Sequence, residues 1–421
     1  MRLSTSAFSV TAWSAFSTTD NTRDRLPDRV AIGVLTKTFP PELVDEVIDE
    51  AQAREQRKRS LPARPTTYFT LAMWLWREHG YEEVLRQLID GLGWSGAGPD
   101  EADVAWSGSI TKARARLGVE PLRLLFARVA GPVAQPGMPG CFWRGLRLTA
   151  IDGSTLDVPN SPQNRAEFDG PSNDAGPGAF PQVRLLVHAE CGTKALLNAG
   201  FDGYRTAETV LAGRLFDSFG PGMLVLADRN FLSWKLWRDA AATKADLLWR
   251  VSDSFTLPVL ERLPDGSYLS RLNPPRKKDG DPITVRVIEY SVSTRDEHGA
   301  TTSELFCLAT TLLDVQAWPI EEFPALYHER WRVETLLDAV KTDLRGGPDV
   351  LTRSQSPAGT RQEIWALFCL YQALADLVGD AARHHRVDPD RISFLRARNT
   401  ARRSVSRIPA DFPPSPTPTR T

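Results

Sequence analysis

Met223-Leu-Val-Leu-Ala-Asp228 is five apolar residues closed by an acid. A short run without polar alternation predicts a strand buried on both faces, inside a sheet that helices cover. Upstream, Leu146-Arg-Leu-Thr-Ala-Ile-Asp152 alternates as a half-buried strand should, and it too stops at an aspartate. Between them lie two strand-like segments, 183–190 and 194–201, joined at Cys191-Gly192 as a hairpin, then a helix over 206–219 closed by Gly220. Downstream a helix is predicted over 231–243 and a strand over 246–251. Strand, hairpin, helix, strand, helix predicts an α/β unit with a mixed sheet and helices on its faces. Such sheets hold their ligands in the loops after strand ends, where both aspartates are expected.

Outward from this core the texture changes. Residues 1–25 are Ser/Thr-rich and read as a loose arm, while 26–135 carry helical patterning throughout and read as an all-helical N-terminal, DNA-binding domain. Within it, Ser107-Gly-Ser-Ile-Thr-Lys-Ala-Arg-Ala-Arg-Leu-Gly118 is a short basic helix between Ser and Gly caps. It resembles the second helix of a helix-turn-helix and nominates Lys112, Arg114 and Arg116 as DNA contacts. The Gly/Pro-rich stretch 131–140 marks a boundary. Residues 253–303, which include strand-like 283–292, form a β-rich insertion that divides the core into 140–252 and 304–385. A long helix is predicted over 319–344 and another over 362–383. A basic segment follows at 386–408, then a Pro-rich disordered tail at 409–421.

The helix near Tyr327 carries the chemistry: Tyr327-His-Glu-Arg330-Trp-Arg-Val-Glu334-Thr-Leu-Leu-Asp-Ala-Val-Lys341. At about 100° per residue, Tyr327, Arg330, Glu334 and Lys341 fall within an arc of roughly 60°. Leu326, Val333, Leu337 and Leu344 form the apolar stripe beside them. An ordinary i, i+4 ion pair accounts for Arg330 and Glu334 but not for Tyr327 and Lys341 in line with them. Metal-assisted phosphodiester cleavage accounts for the whole set. Carboxylates supply hard oxygen ligands, and cations hold phosphate oxygens, Arg as a fork and Lys as a point charge.

Tyr327-x2-Arg330-x3-Glu334-x6-Lys341 resembles the signature of the insertion element 4 family of DDE transposases. Ile-Asp152-Gly-Ser-Thr resembles the family's first aspartate segment and Ala-Asp228-Arg-Asn-Phe its second, and the resemblance runs over about residues 140–385. It implies a ribonuclease H-like core interrupted by the β insertion. Asp152 and Asp228 would be ligands shared by two Mg2+ ions, with Mn2+ as a substitute, and Glu334 the third ligand. Tyr327, Arg330 and Lys341 would grip DNA phosphates. An aromatic side chain would stack on a flipped base during hairpin formation; Phe306 is nearest by position, with Trp318 and Trp249 as rivals. The partners implied are double-stranded DNA, as terminal inverted repeats and as target, and a second copy of the chain in the DNA complex.

Other readings are bounded by composition. With 421 residues, 42% hydrophobic and 24% charged, the chain is an ordinary globular protein that needs no staples. Cys141, Cys191, Cys307 and Cys369 contain no C-x-x-C pair, which speaks against a disulfide framework or structural zinc. No segment reads as a secretion signal, and the apolar stretch 364–378 is short and carries Gln372 and Asp376, so a cytoplasmic, nucleoid-associated protein is expected. The net charge of −1 predicts no nucleic-acid partner by itself, but basic clusters at 54–59, 112–116, 276–278 and 396–407 allow a DNA track. Asp157, Asp338, His188, His328, His384 and His385 match no site pattern, and Ser154 lacks a G-x-S-x-G elbow. Three alternatives stay open: a nuclease of the same fold that cuts without joining, a DNA-binding regulator that has lost catalysis, and, more distantly, a two-carboxylate glycosidase with no use for Arg330 and Lys341.

Overall fold

The computed structural model describes residues 35–57, 59, 61–92, 107–174, 176–253, 255–295, 301–347 and 350–404. The predicted arm at 1–25 and tail at 409–421 lie outside the described residues. The helical patterning of the N-terminal region becomes α1 (Pro41–Glu50), α2 (Ala63–Leu75), α3 (Tyr81–Leu92), α4 (Ser107–Leu117) and α5 (Glu120–Val129). Pro41 opens α1 at a position whose N–H has no helical partner, and Val44, Val47 and Ile48 form its buried face. Every residue of α2 is buried. Its polar side chains are satisfied within the fold: Thr66, Thr67 and Thr70 donate to carbonyls four residues back, and Arg64 pairs with Asp45.

The next segment builds β1 (Phe142–Trp143), β2 (Leu146–Asp157), α6 (Pro162–Phe168), β3 (Ser172–Asn173), β4 (Gly176–Pro177), β5 (Gln182–Glu190), β6 (Leu196–Gly203), α7 (Glu208–Leu215), β7 (Met223–Ala227), α8 (Trp234–Ala241) and β8 (Asp246–Arg250). The main sheet runs β6-β5-β2-β7-β8, with β5 and β6 antiparallel to their neighbours and β2, β7 and β8 parallel. This is a ribonuclease H-like mixed sheet. Within the Gly/Pro-rich stretch 160–178, Ser161 caps α6 by accepting from the Asn164 N–H, and Pro162 follows at the first helical position. One expectation needs correction: Asp152 does not end its strand, because β2 continues to Asp157 on its pairing with β5.

The insertion joins the sheet directly. After β9 (Glu261–Arg262) and β10 (Tyr268–Leu272), the long strands β11 (Ile283–Arg295) and β12 (Thr301–Thr310) pair antiparallel, and β12 pairs with β8 through Leu308–Arg250, Ala309–Trp249 and Thr310–Leu248. The insertion thus extends the catalytic sheet to the order β6-β5-β2-β7-β8-β12-β11-β10-β9.

Side chains on alternate residues face opposite sides of this sheet. Ile151, Val225, Ala227, Leu247 and Trp249 pack under α7 and α8, while Leu148, Ala150, Leu224, Leu226 and Leu308 face the remaining helices. Those are α9 (Phe323–His328), α10 (Trp331–Asp338), α11 (Pro357–His385) and α12 (Phe394–Ser404). The apolar residues of α1, α2, α4 and α5 belong to the same continuous core as this second face. At 29 residues α11 outruns its predicted span and is long and apolar enough to cross a membrane, so the length argument against a span fails. Its apolar window is mostly buried inside the protein, as in a core helix: Ile364, Leu367, Phe368 and Leu374 are fully covered.

The long helix expected over 319–344 is also interrupted. Bonds from Glu329, Arg330, Arg332 and Val333 to carbonyls three residues back tighten the turn between α9 and α10. Residues Ala339–Leu344 then widen into a π-helix. The 100° wheel therefore does not hold across the whole motif, and Lys341 sits on a wider turn than the wheel assumed.

Candidate active site

Asp152 and Asp228 stand level with one another. The parallel ladder between β2 and β7 ends at Ala150 opposite Leu226, and each aspartate lies two residues beyond. Even-numbered side chains here face the α9–α11 layer, so both carboxylates point to the side where Glu334 is carried. β7 stops at Ala227 because its apolar run stops, and Asp228 is left at the mouth of the sheet.

Tyr327, only 4% exposed, donates its hydroxyl to the Ala227 carbonyl at 3.3 Å, which ties α9 to the residue before Asp228. Burial raises the Tyr327 hydroxyl well above its ordinary pKa, with Arg330 partly offsetting this. Arg330 lies at the tightened turn, buried. It donates Nη2 to Glu334 at 2.6 Å and holds Nη1 at 3.7 Å from Asp152. Its Nε is buried with no hydrogen-bond partner. Burial works against its charge, but Tyr327, Asp152 and Glu334 outweigh that and hold it more firmly protonated than usual.

The Asp152 carboxyl is pushed up to about 6, first by burial and then by the negative charges of Glu334 and Asp228, while the Gly153 N–H and Arg330 pull the other way. Segments far apart in sequence therefore meet electrostatically at Asp152. Among the described residues no three acidic, histidine or cysteine side chains converge closely enough to hold a metal ion as they stand. Arg330 supplies the positive charge between Asp152 and Glu334. Lys341 is half-buried on the π-helical turn and makes no side-chain hydrogen bond or ion pair among the described residues.

Beside this group lies an aromatic cluster that reading the sequence only half found. Phe306 is half-buried on β12, stacked on Tyr290 of β11 with ring centroids 5.3 Å apart. The Arg250 guanidinium lies 4.0 Å over its ring, and the Tyr327 ring meets it edge-on at 6.4 Å. Of its rivals, Trp249 is fully buried against Trp237, and Trp318 packs on Trp143. Tyr290 and Arg250 were missed; the only signal for them is cross-strand register, which a single sequence does not display.

The nominated helix α4 divides. Lys112 and Arg116 are exposed, but Arg114 is turned inward at 5% exposure. Arg114 pairs with the fully buried Glu363 at 3.1 Å and bonds Gln362 and Tyr81. It therefore braces α4 against α11 and does not face solvent, where DNA would lie. Asp157 falls on the opposite sheet face from Asp152 and accepts from Gln182; Asp338 is exposed. His188 is buried with its pKa lowered to about 3 by desolvation, and the His328 ring packs on Trp331.

Two family descriptions match the chain: "Insertion element 4 transposase N-terminal" over residues 29–127 and "Transposase DDE domain" over 143–373. The chain belongs to the insertion element 4 family of DDE transposases. This transposase is 25% identical over 363 residues to transposase InsG for insertion sequence element IS4 of Escherichia coli strain K12, covering 84% of this chain and 78% of that one. It is 28% identical over 197 residues to the putative transposase InsZ of the same strain, covering 46% of this chain and 62% of that one. Among solved structures, the cryo-EM structure of a piggyBac transposase synaptic complex with hairpin DNA aligns over 91% of this chain and 82% of its own, at a TM-score of 0.46 and 11% identity. The transposase is accordingly a DNA-cutting and strand-transferring enzyme of a class that depends on divalent metal.

Proposed function

We propose that the transposase carries out cut-and-paste transposition of an insertion sequence at the site formed by Asp152, Asp228 and Glu334. The observation that carries this reading is the meeting of Arg330 with Asp152 from the sheet and Glu334 from α10. The donor set fits a hard divalent cation: all three are carboxylates, and burial, with Glu334 and Asp228 adding to it, makes negative charge costly at Asp152. Asp152, Asp228 and Glu334 would hold two Mg2+ ions, or Mn2+ in their place. When bound, the metal supplies a Lewis acid for in-line phosphoryl transfer at neutral pH.

The protein's own groups do the rest. Arg330, with an unused buried Nε donor, grips a phosphate oxygen at the cut end. Lys341 offers a point charge and Tyr327 a further hydroxyl to the phosphates, and the Tyr327 bond to the Ala227 carbonyl also positions Asp228. Phe306, presented on Tyr290 beside the site, is the stacking platform for a base displaced during hairpin formation. Residues 26–135 serve as the end-binding helical domain with Lys112 and Arg116 outward, 253–303 as the insertion and 386–408 as a basic segment. The working unit is a homodimer bridging two terminal inverted repeats before attack on target DNA, acting in the cytoplasm on the nucleoid.

The test is an assay with labelled duplex carrying the terminal repeats that flank the gene, target plasmid and Mg2+. Joined products and hairpin ends are expected. Cleavage without joining would instead mark a nuclease, and binding without cleavage by both wild type and Asp228→Ala would mark a regulator.

A further inference from the structure

At the far end of the segment that begins with the Glu334 helix, the chain builds a second basic centre. Arg77, Arg345, Arg353, Arg398 and Arg402 line a cleft of about 510 Å³. They come from the turn after α2, the end of the π-helical turn, the approach to α11, and α12. The described acids lining the cleft are Glu78 and Asp343, and Glu78 is already engaged by Arg402 at 2.9 Å. Leaving Arg345 out of the count, Arg77, Arg353, Arg398 and Arg402 against Glu78 and Asp343 leave two positive charges in excess among the described lining residues.

Bracing accounts for where the guanidinium groups sit. Arg402 donates to the Leu75 carbonyl, Arg353 to those of Arg77 and His79, Arg77 to Leu351, Arg345 to Val350 and Arg398 to Asp343. Carbonyls orient a guanidinium but do not neutralise it. Burial and the charge of Arg353, and more weakly Arg345, lower Arg77 to about 10 against the buried Glu363, and burial and Arg402 lower Arg398 against Asp343 and Glu78. Arg77 Nε is buried without a hydrogen-bond partner. Each added cation raises the cost of the others, and a bound anion lowers it.

We propose that this cleft binds a phosphate group, and that its occupant in the working enzyme is a backbone phosphate of the DNA being processed. A phosphate supplies the missing negative charge and the acceptor oxygens that forked guanidinium groups match. The site is separate from the carboxylate group, so it would hold DNA at a second point and fix the angle at which the duplex leaves the catalytic face. The choice of DNA as occupant rests on the function proposed above; the phosphate chemistry does not.

The full chain would be melted in inorganic phosphate and in chloride at matched ionic strength, then titrated with a short duplex over a range of salt. Phosphate is expected to raise Tm above chloride in wild type but not in Arg398→Gln or, independently, Arg77→Gln. Arg398→Gln is expected to bind duplex on the order of tenfold more weakly, with the slope of log K against log salt reduced by about one. Loss of the phosphate effect with duplex affinity unchanged would overturn DNA as the occupant and assign the site to a soluble phosphate. Equal melting in both salts, together with wild-type duplex binding by Arg398→Gln, would overturn the site altogether. Failure of the wild type itself to bind duplex would count against the proposed function instead.

Discussion

Arg330 is shared between two carboxylates: its guanidinium reaches Glu334 at 2.6 Å on its own helix side and Asp152 at 3.7 Å across the sheet. A lysine has no fork to span that gap. Arg330→Ala is therefore expected to slow end cleavage by about a hundredfold or more, and Arg330→Lys to recover little of it. Single-turnover cleavage of labelled ends, with circular dichroism to verify folding, measures both.

Metal binding has a readout apart from turnover. Ions that bind the folded carboxylate group add stability by mass action, about 2.7 kcal/mol at a hundred times Kd. Mg2+ is expected to raise the Tm of wild type and to leave Asp228→Asn and Glu334→Gln unmoved. An equal rise in all three would remove these residues from the metal site.

Phe306 is half-buried, stacked on Tyr290 and overlain by the Arg250 guanidinium at 4.0 Å, which a base would have to displace. If it receives a displaced base, Phe306→Ala should leave the first nick intact and slow hairpin formation. A stacking contact of about 1–3 kcal/mol corresponds to roughly tenfold to a hundredfold. Phe306→Trp should preserve the step. Time courses resolving nicked from hairpin ends decide between this role and a packing role, in which both steps would fall together.

Asp376 on α11 gives a pH signature. Burial, then Asp380, pushes its carboxyl from 3.8 up to about 6, against a hydrogen bond from Gln372. The folded state prefers the protonated form. The stability linked to that preference is complete below about pH 4 and is lost as pH rises through 6. Asp376→Asn keeps the acceptor for Gln372 and removes the charge. It should gain on the order of 1–2 kcal/mol over wild type at pH 7.5, after allowance for partial exposure, and nothing at pH 4. Urea melts at the two pH values measure the difference.

The two halves of the basic helix α4 should separate by experiment. Arg114→Ala strands Glu363 in the interior and is expected to cost about 3–5 kcal/mol in urea denaturation. Lys112→Ala with Arg116→Ala should leave stability nearly unchanged and weaken duplex binding, with a shallower salt dependence.

Much of this was legible along the chain because apolar periodicity and end signals are local. The run Met223 to Ala227 signals a buried strand by its length and apolar content, and Glu334 stands out by its spacing from Tyr327, Arg330 and Lys341. The order of the core elements follows from the same signals. The α6 helix could have been read from Ser161-Pro162 and was hidden by the Gly/Pro-rich residues around it.

What only the tertiary structure decided depends on contacts between distant segments. Asp152 looked like a strand end, but β5 carries the strand on, and the aspartate is exposed to the site because β7, not β2, stops there. The insertion looked separate until β11 paired along the core strand β12. Arg114 looked like a surface cation until Glu363, buried on a helix 249 positions away, drew it inward. The arginine cleft has no trace in any one stretch of sequence. A residue's own neighbours set its backbone conformation, whereas its charge environment is set by whatever packing brings beside it. By itself, then, the sequence determined the strands, the order of the core and the carboxylate motif, and packing alone decided which charges face one another.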